Sequence, residues 1–144
     1  MTTLLFCEKP ALRAVFGTAG TAAKGTVSGD AVQQFCSPAA AQMILCDGMG
    51  TGRPAAVDGS LAAELTARLL KAGFTAELAA RLVNVALALK SDEESGATLD
   101  LISVDLYTGT ARIFKPGPPR AFWCTGAAPV RWAISACPSA FWAV

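Results

Sequence analysis

A glycine-dense segment at residues 47–52 (DGMGTG) separates two kinds of apolar pattern in this chain. Before it lie short β-prone runs, divided by turn-forming Pro, Gly and Ser. We predict strands over residues 3–7 and 11–17, Val32–Cys36 and Gln42–Cys46. The last run leads directly into the glycine segment. From Pro54 onward the apolar residues recur at helical spacing instead, so the chain predicts strands followed by helices.

Two amphipathic helices are predicted after the glycine segment. Gly73 is well placed to end the first helix, and Thr75 can cap the second. Their apolar stripes are Val57, Leu61, Leu65 and Leu69, then Leu78, Leu82, Val85 and Leu89. We expect both stripes to face the core rather than to form a groove for a partner.

A hairpin is predicted after an acidic surface loop at residues 91–97. Leu99–Leu106 alternates apolar and polar residues, Thr108-Gly109 turns the chain, and Ala111–Lys115 returns it. Strands, two helices and a hairpin in this order favour an α+β layered architecture over a parallel α/β sheet.

Residue usage excludes several function classes. Twelve basic and eleven acidic residues leave a net charge of +1, which gives no footprint for nucleic acid. There is no His, and none of the five Cys forms a CxxC pair, so Ser-His-Asp and Cys-His catalysis and most zinc enzymes are excluded. The thiols are expected to pack in the core. With no leader or membrane-spanning run, we expect a soluble cytoplasmic chain.

Two carboxylates are candidate metal ligands. Asp47 stands at the end of an apolar strand and is followed by glycines, which let backbone approach a ligand closely. Asp30 follows a Ser28-Gly29 turn, and a hairpin between the two strands would bring both carboxylates to one sheet edge. Carboxylates and backbone carbonyls suit Mg²⁺ or Mn²⁺. The alternative is that the Asp-Gly segment is only a turn.

Three stretches in order resemble the phosphatase domain of the stage II sporulation protein E family: AAKGTVSGD, ILCDGMGTG and SDEESGATLDLISVDLYTGTARIFKPG. The resemblance covers roughly residues 15–117. It implies a PPM-type (protein phosphatase 2C-like) fold, a layered α-β-β-α sandwich with two antiparallel sheets. It also implies a two-metal protein serine/threonine phosphatase that uses Mn²⁺ or Mg²⁺.

The resemblance also implies residue roles. Asp47 would be the catalytic residue that bridges the two metals, Gly48 would bind one through its carbonyl, and Asp30 would bind that same metal. The implied substrate is a phosphorylated regulatory protein of the anti-sigma-factor antagonist type. Related phosphatases can be membrane-tethered through a preceding region. A homodimer is a possible further association, because an incomplete domain with a Trp-rich tail would invite self-association.

Two departures from the family pattern affect the site. The segment from Lys24 to Ser28 is short. The later S/D-G and DD-hydrophobic-T motifs, which complete the metal site in the family, do not occur. We therefore expect residues 1–117 to be the N-terminal part of the domain, a sandwich incomplete at its C-terminal end.

The composition changes abruptly after Gly117. Residues 118–144 hold all three Trp, two Arg and no Lys, Asp or Glu. Reading degenerate codons one base out of frame permits AAPSFLVHRGRARAVGDLSLPFGILGG, which resembles what the family shows after KPG. We expect an aberrant, out-of-frame tail, unpaired strand edges and weak or no phosphatase activity. A non-catalytic interaction module with a degenerate phosphatase fold is the alternative, and a small α+β domain without a metal site is a third reading.

Overall fold

The computed structural model describes residues 8–22, 27–90, 96–115 and 132–135 of the chain. The described residues form one five-stranded sheet and two α-helices. The elements are β1 (Asp30–Cys36), β2 (Ala40–Gly48), α1 (Gly52–Lys71), α2 (Ala76–Lys90), β3 (Ala97–Asp105), β4 (Ala111–Phe114) and β5 (Trp132–Ser135). The strands lie in the order in which they occur along the chain, and β1 to β4 are mutually antiparallel. The predicted α+β class is confirmed.

Two of the four strands predicted before the glycine segment, Val32–Cys36 and Gln42–Cys46, are present and slightly longer than predicted. β1 and β2 form a hairpin whose turn is closed by Ser37, which donates its amide to the Ala40 carbonyl at 2.8 Å. The Ser37 hydroxyl also accepts the Ala40 amide at 3.0 Å. Because these bonds fix the turn, they also fix which residues lie opposite each other along the two strands.

The predicted strand over residues 11–17 is wrong. The segment forms no strand, and its main link to the sheet is a hydrogen bond from the Leu12 amide to the Leu106 carbonyl, at 2.9 Å. Val15 is 87% exposed, so the apolar run has no buried face to stabilise a strand. The predicted strand at residues 3–7 lies outside the described residues.

Both helices are confirmed, although α1 begins at Gly52, two residues before the predicted Pro54. Pro54 is tolerated there because the first turn of a helix needs no amide donor. Gly73 has a φ of 90° and donates its amide to Leu70, as expected of a C-terminal cap. The Thr75 hydroxyl accepts the Leu78 amide at 3.3 Å and so caps α2.

The predicted core-facing stripes are largely wrong. Val57, Val85 and Leu89 are 52%, 53% and 82% exposed, and Leu61, Leu78 and Leu82 are exposed too; only Leu65 and Leu69 pack partly against the core. Other residues occupy the buried faces instead. On α1 most of them are small: Ala55, Asp58, Gly59, Ala62, Ala63, Thr66 and Ala67; on α2 they are Ala79, Ala80, Val83 and Leu87. These residues share the same helical period. On α1 the small residues let the helix backbone approach the sheet closely, which bulky Leu side chains would prevent.

The core lies between the sheet and the two helices. One buried cluster joins Ile44 and Cys46 of β2, Leu99 and Leu101 of β3, the alanines of α1, and Val83 and Leu87 of α2. An ion pair between Lys90, the last residue of α2, and the buried Asp58 of α1 ties the two helices together. Helix α1 crosses strands β1, β2 and β3 and so determines the depth of the core.

The predicted hairpin of β3 and β4 is confirmed. Its turn is held by the Asp105 carboxylate, which accepts the Tyr107 and Thr108 amides at 2.8 and 2.9 Å. These bonds, Thr108 first and Tyr107 second, lower the pKa of Asp105. Gly109 completes the turn with a φ of 73°. β5 comes from the segment predicted to be aberrant, and it pairs in parallel with β4. This edge of β4 is therefore paired, contrary to the expectation of an open edge.

The buried face of α2 can be tested with two leucines of that helix. Leu87 is 1% exposed and Leu89 is 82% exposed. Leu87→Ala should lower the free energy of unfolding by about 2–5 kcal/mol, because it leaves a cavity in the core. Leu89→Ala should change it by less than about 0.5 kcal/mol. Urea unfolding followed by circular dichroism measures both, and equal losses would contradict this assignment.

Candidate metal centre

The β1–β2 hairpin places the two candidate carboxylates side by side. Asp30, the first residue of β1, lies directly opposite Asp47 near the end of β2. Paired residues of antiparallel strands point to the same face of the sheet, with Cα atoms about 4.5–5.5 Å apart. Both residues are exposed. The sequence prediction that this hairpin brings Asp30 and Asp47 to one sheet edge therefore agrees with the structure.

Hydrogen bonds from neighbouring residues hold each aspartate in place. The Ser28 hydroxyl donates to the Asp30 carboxylate at 2.9 Å and accepts the Asp30 amide at 3.2 Å. The Asp47 amide donates to the Thr98 hydroxyl at 3.2 Å. Thr98, which lies opposite Asp47 on β3, was not singled out from the sequence. The sequence signal that could have pointed to Thr98 is its place in the ATLDL stretch, which carries part of the family resemblance.

Gly48 lies beside the same two aspartates. Its amide donates to the Gly29 carbonyl at 3.1 Å. A Cβ atom built on Gly29 would lie 2.9 Å from the Gly48 carbonyl oxygen and 3.2 Å from Asp47 Oδ1. Gly29 is thus in contact with both atoms, which places the predicted carbonyl donor next to a predicted carboxylate donor.

The electrostatics of the site favour a bound cation. Although Asp47 is exposed, the desolvation caused by its neighbours raises its pKa, and the nearby charge of Asp30 raises it further. Two adjacent carboxylates repel each other when both are ionised, and a divalent cation between them would remove that repulsion. Carboxylate and carbonyl oxygens are the donors that Mg²⁺ and Mn²⁺ prefer, so Asp30, Asp47 and Gly48 fit such an ion chemically.

The donor set in the described part of the chain is partial. Within residues 8–22, 27–90 and 96–115 no three His, Cys, Asp or Glu residues form a cluster that could hold a metal. Asp100 lies on the same sheet face as Asp47, two residues beyond Thr98, but it forms an ion pair with Lys115. Two carboxylates and one carbonyl are thus the donors that this part of the chain brings together.

The thiols offer no alternative chemistry in the described core. Burial, and secondarily the charge of Asp100, raises the pKa of Cys46 to about 12, so this thiol stays protonated. Cys46 packs in the core as predicted, whereas Cys36 is exposed, contrary to that prediction. The remaining cysteines lie outside the described residues. Of the helices in the described ranges, none combines the length and the apolar character that crossing a bilayer requires.

Solved structures define the class of protein to which this fold and site belong. The chain is similar to the PP2C phosphatase domain, solved with a fragment of the regulatory domain, of the cell fate determinant SpoIIE from Bacillus subtilis. That match has a TM-score of 0.56 and 29% identity, and covers 65% of this chain and 27% of that one. RsbX in complex with magnesium shares the fold, at a TM-score of 0.50 and 16% identity over 67% of this chain and 54% of that one. The architecture is that of a PP2C-type phosphatase.

The family follows from the sequence comparison. The family model for stage II sporulation protein E (SpoIIE) matches residues 37–136, and the chain belongs to this family. The stage II sporulation protein E of Priestia megaterium is 29% identical over 99 residues, and that of Bacillus subtilis (strain 168) is 31% identical over 78. These alignments cover 68% and 54% of this chain. They span only 17% and 9% of the two relatives.

Removing one carboxylate tests the electrostatics of the site. The pKa of Asp47 is raised in the folded state, so its ionised form opposes folding once the pH rises through that pKa. With a metal chelator present, Asp47→Asn should therefore raise the free energy of unfolding at pH 7. This advantage should shrink as the pH falls through the raised pKa of folded Asp47 and should be absent below the pKa of an unfolded aspartate.

Urea unfolding from pH 3 to pH 7 measures this difference. The control is Glu77→Gln, which removes a carboxylate from the exposed first turn of α2, where negative charge favours the helix. That variant should be slightly less stable than the parent chain at pH 7. Loss of stability in Asp47→Asn at pH 7 would show that the carboxylate is favourably paired without metal.

Proposed function

We propose that this chain carries part of the active site of a metal-dependent protein serine/threonine phosphatase. The observation that carries the proposal is the hairpin register that sets Asp30 opposite Asp47, with the Gly48 carbonyl beside them. Membership of the SpoIIE family supports the same reaction class. The chain spans less than a fifth of the length of its curated relatives. The proposal therefore concerns this site and not the activity of a whole protein.

Each residue of the site has a distinct task in the proposal. Asp47 and Asp30 would hold Mn²⁺ or Mg²⁺ through their carboxylates, and Gly48 would add its carbonyl oxygen. Asp47 would bridge two ions. When bound, the ions supply an activated water and neutralise charge that develops on the phosphoryl group. Ser28 orients the Asp30 carboxylate, and Thr98 fixes the backbone of Asp47.

The proposed substrate is a phosphoserine or phosphothreonine on a cytoplasmic regulatory protein of the anti-sigma-factor antagonist type. This class is what the sequence resemblance to the family implies. We propose that the chain itself hydrolyses such a substrate weakly or not at all. The described residues contribute two carboxylates to a centre that needs further ligands to hold two ions.

Metal binding is the direct test. The full chain should bind Mn²⁺, and Asp47→Asn should lower the affinity by more than about tenfold. Loss of a residue that only supports a metal ligand often costs about tenfold, so loss of a ligand should cost more. Glu77→Gln should leave the affinity unchanged. Titration followed by the electron paramagnetic resonance signal of free Mn²⁺ measures all three. Equal affinities for the parent and Asp47→Asn would remove the basis of the proposal.

Hydrolysis of a phosphoserine peptide in Mn²⁺ tests the second part. We expect turnover near the background that Asp47→Asn shows. Robust Mn²⁺-dependent turnover by the full chain would contradict the expectation of an impaired site while supporting the reaction class.

The proposed out-of-frame origin of residues 118–144 stays a prediction. The family match runs to residue 136, and β5 lies within this segment, so neither observation isolates it from the rest of the chain. Reading the gene from the codon of Lys115 to beyond that of Val144 decides the matter. Four consecutive G's at Gly117 in the source DNA, with an open frame to the missing motifs, is the expected result. Three G's would make the present reading frame genuine.

A second candidate function is a non-catalytic interaction module, including a homodimer. Leu78, Leu82, Val85 and Leu89 lie at spacings of four, three and four residues on α2, and all are exposed. Exposed apolar residues in such a row are typical of surfaces that associate.

Sedimentation velocity at several protein concentrations tests this candidate. Leu82→Glu combined with Leu89→Glu should shift the chain toward the monomer, because the charges would be buried at the interface. Glu77→Gln is again the control. A parent chain that sediments as a monomer at all concentrations would exclude the homodimer.

A further inference from the structure

Three glycines make the closest backbone contacts of the candidate metal centre with helix α1. A Cβ atom on Gly59 would lie 2.0 Å from the Gly29 carbonyl oxygen and 3.1 Å from the Gly48 amide nitrogen. One on Gly48 would lie 1.9 Å from the Ala55 carbonyl oxygen and 2.8 Å from the Gly59 amide nitrogen. The neighbours are main-chain atoms, which cannot move aside as the end of a side chain can. No side chain fits at either position.

Backbone conformation does not explain these glycines. The described glycines with positive φ are Gly50, Gly52, Gly73 and Gly109, and the three at this contact are not among them. Gly59 lies inside α1, where glycine is less favourable than any other residue except proline. Space is therefore the physical reason for glycine at position 59.

The contact reaches the predicted metal donors. The Gly29 carbonyl accepts the Gly48 amide at 3.1 Å, and a Cβ atom on Gly29 would meet the Gly48 carbonyl oxygen and Asp47 Oδ1. Gly59 contacts the Gly29 carbonyl from the side of helix α1. A displacement of Gly29 by a side chain at position 59 would therefore be passed to the donors of Asp47 and Gly48, and to Asp30, which follows Gly29 directly.

We propose that Gly59 is a positioning residue of the metal centre. Its missing side chain lets α1 hold Gly29 and Gly48 in contact, and this contact sets the Asp47 and Gly48 oxygens relative to Asp30. The inference rests on the proposed function and adds to it a helix residue that binds no metal. Specific close packing of this kind transmits small shifts, because a packed interior has little free volume to absorb them.

The primary test is the Mn²⁺ affinity of Gly59→Ala in the full chain. Alanine has the higher helix propensity, so propensity alone would make the helix of this variant more stable. The close contact instead predicts a Mn²⁺ affinity at least tenfold lower than that of the parent chain. Ala63→Gly, one turn further along α1 and 1% exposed, is the matched control, because it weakens the helix and core without touching this contact. The control should lose thermal stability and keep its Mn²⁺ affinity. An unchanged affinity in Gly59→Ala would overturn the proposal.

A second variant covers the case in which Gly59→Ala does not fold. Gly29→Ala places a Cβ atom 2.9 Å from the Gly48 carbonyl oxygen, a smaller overlap than that at position 59. It should fold and bind Mn²⁺ at least tenfold more weakly than the parent. A folded Gly29→Ala chain with parental affinity would contradict the proposed link between this contact and the donors.

Amide NMR spectra without metal separate this inference from the proposed function. In Gly59→Ala, or in Gly29→Ala if the former does not fold, the amide resonances of Asp30, Asp47 and Gly48 should shift. In Ala63→Gly they should stay in place. A parent chain that binds no Mn²⁺ would refute the proposed function, and the spectra would still decide the positioning role. Unshifted resonances would refute that role whatever the metal result.

Discussion

The contact between helix α1 and the open end of the β1–β2 hairpin is the constraint on which the rest of the structure depends. Gly59 meets Gly29 there, and Gly48 meets Ala55, at distances that admit no side chain. The helix then continues across three strands, with alanines along its buried face. Because a close approach at one end sets the height of the helix above the sheet, the same contact also determines how deep the core can be.

This close packing gives the molecule two unlike surfaces. Small residues of α1 face the sheet, and several larger apolar residues of both helices are exposed, among them Val57, Val85 and Leu89, which are more than half exposed. The sheet face that carries Asp30 and Asp47 also carries Val32 and Leu45, which are 38% and 40% exposed. Exposed apolar residues on both faces are typical of surfaces that make protein–protein contacts.

The two carboxylates at the open end of the β1–β2 hairpin destabilise the folded state when both are ionised. Asp30 and Asp47 are held opposite each other, and both desolvation and their mutual repulsion raise the pKa of Asp47. Other acidic groups are compensated: Asp58 pairs with Lys90, and Asp100 pairs with Lys115. An uncompensated pair held in register amid compensated ones is typical of a site built for a ligand rather than for stability.

The sequence by itself determined the order of elements, the strands around the glycine segment, the helix caps and the three candidate donors, because turns, caps and strand ends depend on residues close together in the chain. The resemblance to the SpoIIE family added the class. Only the tertiary structure decided which helix face is buried, that residues 11–17 form no strand, and that Thr98 and Gly59 touch the site. Bulky and small residues share one helical period, so periodicity cannot choose between the faces. The choice is made by how closely two backbones can approach, which depends on residues far apart in the chain.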